Sequence, residues 1–250
     1  MGISFIILSY NQSKNITKIL DSIRYAQLPD YEIILVDNNS TDFVFEKVRY
    51  YCVTYKINYK LINNTKQKNQ SRSRNLGLQE ATKEYVYFID GDDYLNSYFL
   101  HSIKLNEDVV FVPRVAKDFN STIYKINQNN IENKIFYISP VNAFYKRDFL
   151  LKYNIKHEEE KYYYYSEDLI FACLLFDTIL EYNIKYKYLD NDFLYFGIKR
   201  ETSTPIKDLE SYYSEMLRYL IGRINNIDVL DFLCKKIGGL IEECVNDHNK

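Results

Sequence analysis

Residues 85–94 read Tyr-Val-Tyr-Phe-Ile-Asp-Gly-Asp-Asp-Tyr, an apolar run that ends in three carboxylates. The run has the length and composition of a buried β-strand, so it predicts that Asp90, Asp92 and Asp93 lie at the strand's carboxyl end. Gly91 leaves the backbone free to turn there. Carboxylates this close repel one another unless a cation neutralises them, and oxygen ligands suit Mg²⁺ or Mn²⁺. Alone, the stretch also fits an Asp-Gly turn with solvated acids.

Two apolar runs upstream have the same form. Residues 3–8 end at the turn Ser-Tyr-Asn-Gln of 9–12, and residues 32–36 end at Asp-Asn-Asn-Ser-Thr-Asp of 37–42. Residues 16–23 have apolar side chains at helical spacing, which predicts a β-α-β unit. The alternation continues with a helix over 43–52, a strand over 57–62, a helix over 70–81 and the strand over 85–89. This order predicts an α/β fold with a mainly parallel central sheet flanked by helices, and ligands beyond the strands' carboxyl ends.

The pattern after Asp93 is less regular and predicts a small mixed sheet. The predicted elements are a helix over 97–105, strands over 109–112, 121–126 and 134–138, helices over 141–153 and 167–178, and a strand over 184–189. From Pro205 onward, two amphipathic helices follow without a linker. We therefore expect a main domain over 1–204 and a C-terminal helical extension over 205–250, which packs on that domain or forms a dimer surface.

Composition limits the function classes. The 250 residues are 46% hydrophobic and have a formal net charge of -2, which supports a folded core and gives no general attraction for nucleic acid. The apolar start is too short for a transmembrane segment and lacks the basic residues of a signal peptide. Four scattered cysteines suggest reduced thiols. We expect a cytoplasmic protein, with peripheral binding at the inner face of the membrane left open.

Polar groups from five parts of the chain converge on the predicted carboxyl edge. They are the turn Ser9-Tyr10-Asn11, Asp37, the pair Arg72 and Arg74, the cluster Asp90-Gly91-Asp92-Asp93, and Glu167-Asp168. A nucleotide diphosphate suits this set, because Tyr10 can cover a base, Asp37 can accept from a ring N–H, and Arg74 can pair with an anionic or carbonyl oxygen. A metal ion would neutralise the diphosphate and make it a better leaving group.

The segment Ser166-Glu167-Asp168 begins an apolar helical pattern. Acids in the first turn of a helix are ordinary stabilising residues, because they interact favourably with the helix dipole. In a sugar-transfer site, however, Asp168 becomes a candidate general base for an acceptor hydroxyl.

The chain resembles the family 2 glycosyltransferases, which have the Rossmann-like GT-A fold. The resemblance rests on residues 3–11, 36–42 (Val-Asp-Asn-Asn-Ser-Thr-Asp), 73–77 (Ser-Arg-Asn-Leu-Gly), 88–93 (Phe-Ile-Asp-Gly-Asp-Asp) and 166–168 (Ser-Glu-Asp), which follow the family's order and spacing. It implies a GT-A domain with a nucleotide-binding half over 1–100 and an acceptor-side half over 101–204.

The resemblance also implies a reaction. A sugar passes with inversion from a nucleotide-diphosphate sugar, with uracil as the family's usual base, to a hydroxyl of a glycan or lipid-linked glycan. The acceptor class is a bacterial surface glycan such as a capsule, lipopolysaccharide or teichoic acid. The implied donor-binding residues are Ser9, Tyr10, Asn11, Asp37, Arg74, Asp90 and Gly91, with Tyr10, Asp37 and Arg74 near the base and Asp90 near the ribose or sugar. Asp92 would hold Mn²⁺ or Mg²⁺, and Asp168, beside Glu167 in the catalytic motif, would be the base.

Residues 195–204 resemble the family's late loop, in which Lys199 or Arg200 would balance charge on the diphosphate. A solvated basic turn is an equal interpretation of this stretch. The C-terminal helices do not resemble a family-wide module, and packing on the main domain and a homodimer surface stay open for them.

Other functions fit the residues less well. A sugar nucleotidyltransferase usually has a Gly-rich phosphate loop after the first strand, and residues 9–12 contain no glycine. A Rossmann dehydrogenase needs G-x-G-x-x-G at the same place. A catalytically silent domain that binds nucleotide sugar or a partner protein remains the alternative.

Overall fold

A computed structural model describes residues 1–65, 69–112, 114–117, 123–124, 139–159, 167–189, 195–198 and 209–248, with side chains described except at 114–117, 123–124, 195–198, 209–212 and 238–248. The first half contains β1 (Ile3–Ser9), α1 (Ile16–Tyr25), β2 (Tyr31–Asp37), α2 (Val44–Tyr55), β3 (Asn58–Asn63), α3 (Gln70–Glu80) and β4 (Tyr85–Asp90). These elements confirm the predicted alternation of strands and helices.

The second half is more mixed. It contains β5 (Tyr94–Leu95), α4 (Ser97–Ser102), β6 (Val109–Phe111), β7 (Arg114–Lys117), β8 (Ile123–Tyr124), β9 (Ala143–Lys146), α5 (Arg147–Lys152), α6 (Glu167–Glu181), β10 (Tyr186–Tyr188), β11 (Tyr195–Ile198), α7 (Leu209–Ile221) and α8 (Ile227–His248). The strand predicted over 134–138 lies outside the described residues.

A seven-stranded sheet forms the core, in the order β10-β6-β9-β4-β1-β2-β3. Strand β1 pairs in parallel with both β2 and β4, and every residue of β1 is buried, as a central strand of a parallel sheet requires. The register places Ser9 opposite Asp37 and Leu8 opposite Asp90. The ends of three strands therefore bring their polar residues to one edge, as the sequence predicted.

A second sheet of four strands has the order β5-β11-β7-β8. Strand β11 is antiparallel to β5 and parallel to β7, and β7 is antiparallel to β8. This arrangement confirms the predicted small mixed sheet. Strand β5 follows the acidic turn after β4 directly, so the second sheet begins beside the edge where the polar residues gather.

The helix predicted over residues 141–153 is wrong in its first half. A 3₁₀ turn at Pro140–Asn142 leads into β9, and the helix α5 starts only at Arg147. Strand β9 is antiparallel to both of its neighbours, β4 and β6. Its residues Ala143 to Tyr145 are buried, and such a continuous apolar run does not distinguish a buried strand from a buried helix.

The C-terminal helices α7 and α8 pack against each other, and α8 also contacts α6. Their buried apolar residues, which belong to the same hydrophobic cluster as the sheet, include Met216, Leu220, Ile224, Val229, Phe232, Leu233 and Ile237. Asp177 of α6 accepts hydrogen bonds from the backbone N–H groups of Asn225 and Asn226, at 2.9 and 2.6 Å, just before α8. No helix in the described ranges is long and apolar enough to cross a membrane.

Candidate active site

A cavity of about 500 Å³ lies at the carboxyl edge of the central sheet. Residues from the ends of β1, β2 and β4 and from the starts of α3 and α6 form its walls: Leu8, Ser9, Tyr10, Gln12, Asn38, Asn69, Gln70, Asp90, Gly91, Asp92 and Glu167. The predicted residues Ser9, Tyr10, Asp90, Gly91, Asp92 and Glu167, from the ends of β1 and β4 and from α6, thus share one space, whereas Asn11, Asp37, Arg74 and Asp168 do not line it. Gln12, Asn38, Asn69 and Gln70 were not predicted from the sequence, although the first two lie in turns that follow predicted strands.

The turns after β1 and β2 form what we name the β1–β2 edge, which consists of Ser9, Asn11, Asp37 and Ser40; of these, Ser9 lines the cavity. Asp37 is only 3% exposed, and its carboxylate accepts hydrogen bonds from the backbone N–H of Ser40, at 2.7 Å, and from the Ser40 hydroxyl. The Asn11 N–H donates to the same hydroxyl at 2.7 Å. Asn11 has a φ of 53°, a left-handed turn that asparagine tolerates better than most residues. Hydrogen bonds therefore hold the two turns together before any ligand binds.

A second set of hydrogen bonds fixes α3 against this edge. The side-chain oxygen of Asn38 accepts from the Ser73 hydroxyl at 2.7 Å and from the Asn64 amide at 3.0 Å. The side chain of Asn69 caps α3 by accepting from the Arg72 N–H at 2.6 Å. As a result, the first turn of α3 faces the cavity.

The turn after β4 depends on a close backbone approach at Gly91. A Cβ atom added there would lie 2.3 Å from the carbonyl oxygen of Leu8, which is far inside van der Waals contact. Only glycine fits without displacing β1. The turn then continues through Asp92, which lines the cavity, to Asp93, which is buried and donates its N–H to the Asp90 carbonyl at 3.0 Å.

A second group, the Arg74 cluster, consists of Arg74, Asp90, Glu167 and Asp168; of these, Asp90 and Glu167 line the cavity. The Arg74 side chain is 1% exposed, and its guanidinium lies 2.7 Å from Glu167, 3.2 Å from Asp90 and 3.7 Å from Asp168. Burial works against a charged guanidinium, but the three carboxylates, Glu167 first, more than offset it and raise the pKa of Arg74. Arg74 therefore stays protonated and joins elements that are distant in the chain.

Glu167 is held on both of its oxygens. One accepts from Arg74 at 2.7 Å and the other from the Ser71 hydroxyl at 2.7 Å, and the residue is 6% exposed. Although Glu167 touches the cavity, these contacts favour a role in holding Arg74 over direct proton transfer. Its predicted catalytic role stays a prediction.

Asp168 is placed differently from Glu167. Its Oδ2 accepts from the Ser139 hydroxyl at 3.1 Å, and its side chain keeps 47% of its surface exposed. Its Oδ1, however, is buried and has no hydrogen-bond partner among the described residues. Burial raises the pKa of Asp168 to about 6, with Arg74 opposing this rise and Glu167 and Asp90 adding to it. A carboxylate with such a pKa is ionised at neutral pH and can still accept a proton.

The pair Arg72 and Arg74, which the sequence placed together at the edge, divides in the structure. Arg72 pairs with Glu159 at 3.0 Å, and the amide of neighbouring Asn75 donates to the other oxygen of Glu159 at 2.8 Å. These contacts bind α3 to the segment that precedes α6. Arg74 instead contacts carboxylates, Asp168 among them. Its predicted contact with the base of the nucleotide stays a prediction.

Asp92 could hold a divalent metal ion with help from a ligand. No group of three or more His, Cys, Asp or Glu side chains is arranged to hold a metal within the described ranges. Mg²⁺ and Mn²⁺ commonly bind through one or two carboxylates, water and substrate phosphates, so a single carboxylate at the cavity wall fits that mode. Tyr10 lies at the same wall and is 55% exposed, free to cover a flat ring.

Three predicted residues lie outside the described part of the chain. They are Ser166, Lys199 and Arg200. The backbone of β11, immediately before Lys199, is described and pairs with β5, the strand that follows the acidic turn. The roles predicted for these residues therefore stay predictions.

The sequence profile of Glycosyl transferase family 2 matches residues 4–170. The chain belongs to this family. Every described residue of the cavity wall lies within the matched range. Family membership therefore covers the site that the fold assembles.

Two curated relatives share parts of the sequence. Poly(ribitol-phosphate) beta-N-acetylglucosaminyltransferase TarS of Staphylococcus aureus (strain MW2) is 27% identical over 248 residues, which cover 92% of this chain and 41% of the relative. Poly(ribitol-phosphate) beta-glucosyltransferase of Bacillus spizizenii is 34% identical over 99 residues, 39% of this chain and 16% of the relative. The chain thus spans about two fifths or less of the length of these relatives.

Solved structures confirm the GT-A fold. The structure of S. aureus TarS residues 1–349 in complex with UDP-GlcNAc superposes with a TM-score of 0.73 at 23% identity, covering 99% of this chain and 72% of that one. The mannosyltransferase PcManGT from Pyrobaculum calidifontis, in complex with GDP-Man and Mn²⁺, gives a TM-score of 0.59 at 14% identity, covering 94% and 68%.

Proposed function

We propose that the protein is a metal-dependent, inverting glycosyltransferase that moves a sugar from a UDP-sugar to a hydroxyl of a bacterial surface glycan. One observation carries the proposal: the Arg74 guanidinium lies 3.2 Å from Asp90 and 3.7 Å from Asp168. Arg74 therefore contacts both Asp90, at the strand end that would face the donor, and Asp168, an acid suited to proton transfer. An inverting single displacement needs a base close to the donor and on the side opposite its diphosphate.

The β1–β2 edge is the proposed site of the nucleotide. Tyr10 covers the base, Asp37 accepts a hydrogen bond from a ring N–H, and Ser9 and Asn11 shape the turn around it. Asp90 binds the ribose or the sugar, close to the backbone of Gly91. The hydrogen bonds that already hold Asp37 and Asn11 support this assignment, because a prearranged site loses little conformational entropy when the donor binds.

Asp168 is the proposed base. As the acceptor oxygen forms its bond to the anomeric carbon, the bond from that carbon to the diphosphate breaks, and Asp168 takes the proton of the acceptor hydroxyl. A divalent metal bound through Asp92 would neutralise the leaving diphosphate. Lys199 or Arg200 would balance the remaining charge, while Arg74 keeps Asp168 ionised until the acceptor arrives.

The acceptor class follows from the relatives. Two of them are named as transferases that act on poly(ribitol-phosphate), which supports a teichoic acid acceptor over a capsule or lipopolysaccharide. We assign the reaction to residues 1–204, and the helices of 205–250 to packing on that domain or to a homodimer surface.

A panel of nucleotide sugars tests the donor assignment. The purified protein is incubated with each sugar and Mn²⁺, and release of the nucleoside diphosphate is measured. We expect a UDP-sugar to be the best donor. A protein that binds UDP with Mn²⁺ but turns over no sugar would instead be a catalytically silent binding domain.

The metal assignment makes a separate prediction. Asp92→Ala should remove the Mn²⁺-dependent part of UDP binding, because the metal loses its protein ligand, as measured by calorimetric titration with and without Mn²⁺. Asp148→Ala is the matched control, since that carboxylate has a side chain 94% exposed and lies on α5. Equal Mn²⁺-dependent UDP binding by the two variants would remove Asp92 from the site.

A further inference from the structure

A sugar transfer that uses a base and a metal does not by itself explain the role of Arg74. A buried guanidinium in a donor site would be expected to point at substrate oxygens, yet Arg74 is occupied by three carboxylates of the protein itself. Each carboxylate belongs to a different position in the site: the end of β4, the first residue of α6 and the second residue of α6.

Glu167 fixes the guanidinium. Its two oxygens bind Arg74 and Ser71, both of which lie on α3 one helical turn apart, so α6 starts against a defined point of α3. With Glu167 in that position, Nη2 of Arg74 reaches Asp90, and Nη1 lies 3.7 Å from Asp168. The contact with Asp168 is longer than a hydrogen bond, which leaves that carboxylate able to accept a proton.

We propose that Arg74 is a positioning residue: held by Glu167, its guanidinium keeps Asp90 and Asp168 at one separation and stabilises the ionised form of Asp168. This role rests on the proposed function of Asp168 as the base. It assigns Glu167 as the counter-ion of Arg74, and it places Arg74 on the acceptor side of the cavity.

Several groups face Asp168 from the packed elements. Arg74 approaches from α3, Glu167 precedes it on α6, and Asp90 comes from β4. The Ser139 hydroxyl donates to Oδ2, and the buried Tyr145 of β9 interacts electrostatically with the same carboxylate. Burial raises the pKa of Asp168 most, and Arg74, the cation of this set, opposes that rise, while Glu167 and Asp90 add to it.

The test measures the pKa of Asp168 directly, in metal-free protein without substrate. Aspartate labelled with ¹³C at Cγ is incorporated, the Asp168 signal is assigned by its loss in Asp168→Asn, and its shift is followed against pH. Glu167→Gln should lower the pKa of Asp168, because Arg74 loses its principal counter-charge. The double variant Arg74→Met/Glu167→Gln should have a pKa about one unit above that of Glu167→Gln alone, since the cation is then also gone.

The design controls for damage to the fold. Replacing both members of a buried ion pair by uncharged residues is tolerated better than leaving one charge alone, which is why Arg74→Met is made only with Glu167→Gln. Ser71→Ala removes a hydrogen bond to Glu167 but changes no charge, so it should leave the pKa of Asp168 unchanged. Equal pKa values in Glu167→Gln and the double variant would overturn the proposal.

Turnover separates this inference from the proposed function. If Asp168→Asn keeps wild-type transfer, Asp168 is not the base and the proposed function fails, whatever the titrations show. If Asp168→Asn loses transfer but the pKa values do not follow the predicted order, only the role of Arg74 fails.

Discussion

The β1–β2 edge and the Arg74 cluster are held in different ways. The β1–β2 edge consists of turns that are neighbours in the sheet, and a backbone amide and a hydroxyl satisfy its single carboxylate, Asp37. The Arg74 cluster joins three separate elements through one buried cation and three carboxylates. The β1–β2 edge therefore keeps its shape through hydrogen bonds, whereas the Arg74 cluster depends on charge balance. Substitutions that change charge should act mainly on the Arg74 cluster, and on chemistry more than on donor binding.

The largest effect is expected from Asp168→Asn. Removing the base should lower turnover about 100- to 10,000-fold, because that is the usual contribution of a general base. Affinity for UDP with Mn²⁺ should change little, since the β1–β2 edge stays intact. Steady-state transfer with the best donor from the panel and calorimetric titration with UDP measure the two quantities.

Asp148→Asn is a suitable control for the loss of one aspartate charge, because its side chain is 94% exposed. It should keep wild-type turnover. If Asp168→Asn lost donor affinity and turnover in equal measure, the Arg74 cluster and the β1–β2 edge would not act separately on chemistry and donor binding.

A smaller effect is expected from Asp37→Asn in the β1–β2 edge. The substitution keeps the shape but removes the charged acceptor, so UDP affinity should fall about 10- to 100-fold, the range expected for a hydrogen bond to a charged group. The pH at which turnover falls on the acid side should not move, because Asp37 is not among the groups that influence Asp168.

Ser40→Ala sharpens this prediction. It removes one hydrogen bond to Asp37 and one acceptor for Asn11 while the carboxylate remains. Donor affinity should therefore fall less than in Asp37→Asn. If the two variants lose affinity equally in calorimetric titration with UDP, Asp37 acts by holding the turn and makes no contact with the base.

The smallest effect concerns stability against pH. The pKa of Asp168 is raised from 3.8 to about 6 by folding, so protonation stabilises the native state fully below pH 3.8, and the contribution is lost as pH rises from there through about 6. Asn at this position carries no such dependence. The melting temperature of Asp168→Asn relative to wild type should therefore be higher at pH 8 than at pH 5.

Solvent limits the size of that difference. The Asp168 side chain is 47% exposed, so the effect should stay below about 1 kcal/mol, or roughly 2–4 °C in melting temperature. Thermal unfolding at the two pH values measures it. An unchanged or reversed difference would mean that folding does not raise the pKa of Asp168.

The sequence was most informative where function and sheet geometry coincide. Strands of a parallel sheet end at one edge, so the polar residues after Leu8, Val36 and Ile89 could be placed together from periodicity alone. The structure confirms this edge. Strand β9 could not be predicted in the same way, because its buried residues alternate neither with period 2 nor at helical spacing.

The pairing of Arg74 with Glu167 could not be predicted from the sequence either. Arg74 and Glu167 are separated by 93 positions, and each alone fits a simpler explanation as a substrate contact or as a helix-end acid. Only the packing of α6 on α3 makes them partners. The available signal was that Arg74 shares a predicted helix with Ser71, Ser73 and Asn75. So many polar side chains on one packed helix need partners elsewhere.

The antiparallel strand β9 has a consequence for the length of the chain that precedes it. It lies between β4 and β6, which both come earlier in the sequence. The Val112 N–H donates to the Asn142 carbonyl at 2.8 Å, so the two ends of the segment between β6 and β9 lie together. The entropic cost of lengthening a closed excursion grows only slowly with its length. Extra residues between Val112 and Asn142 would therefore add little to the entropic cost of closing this segment.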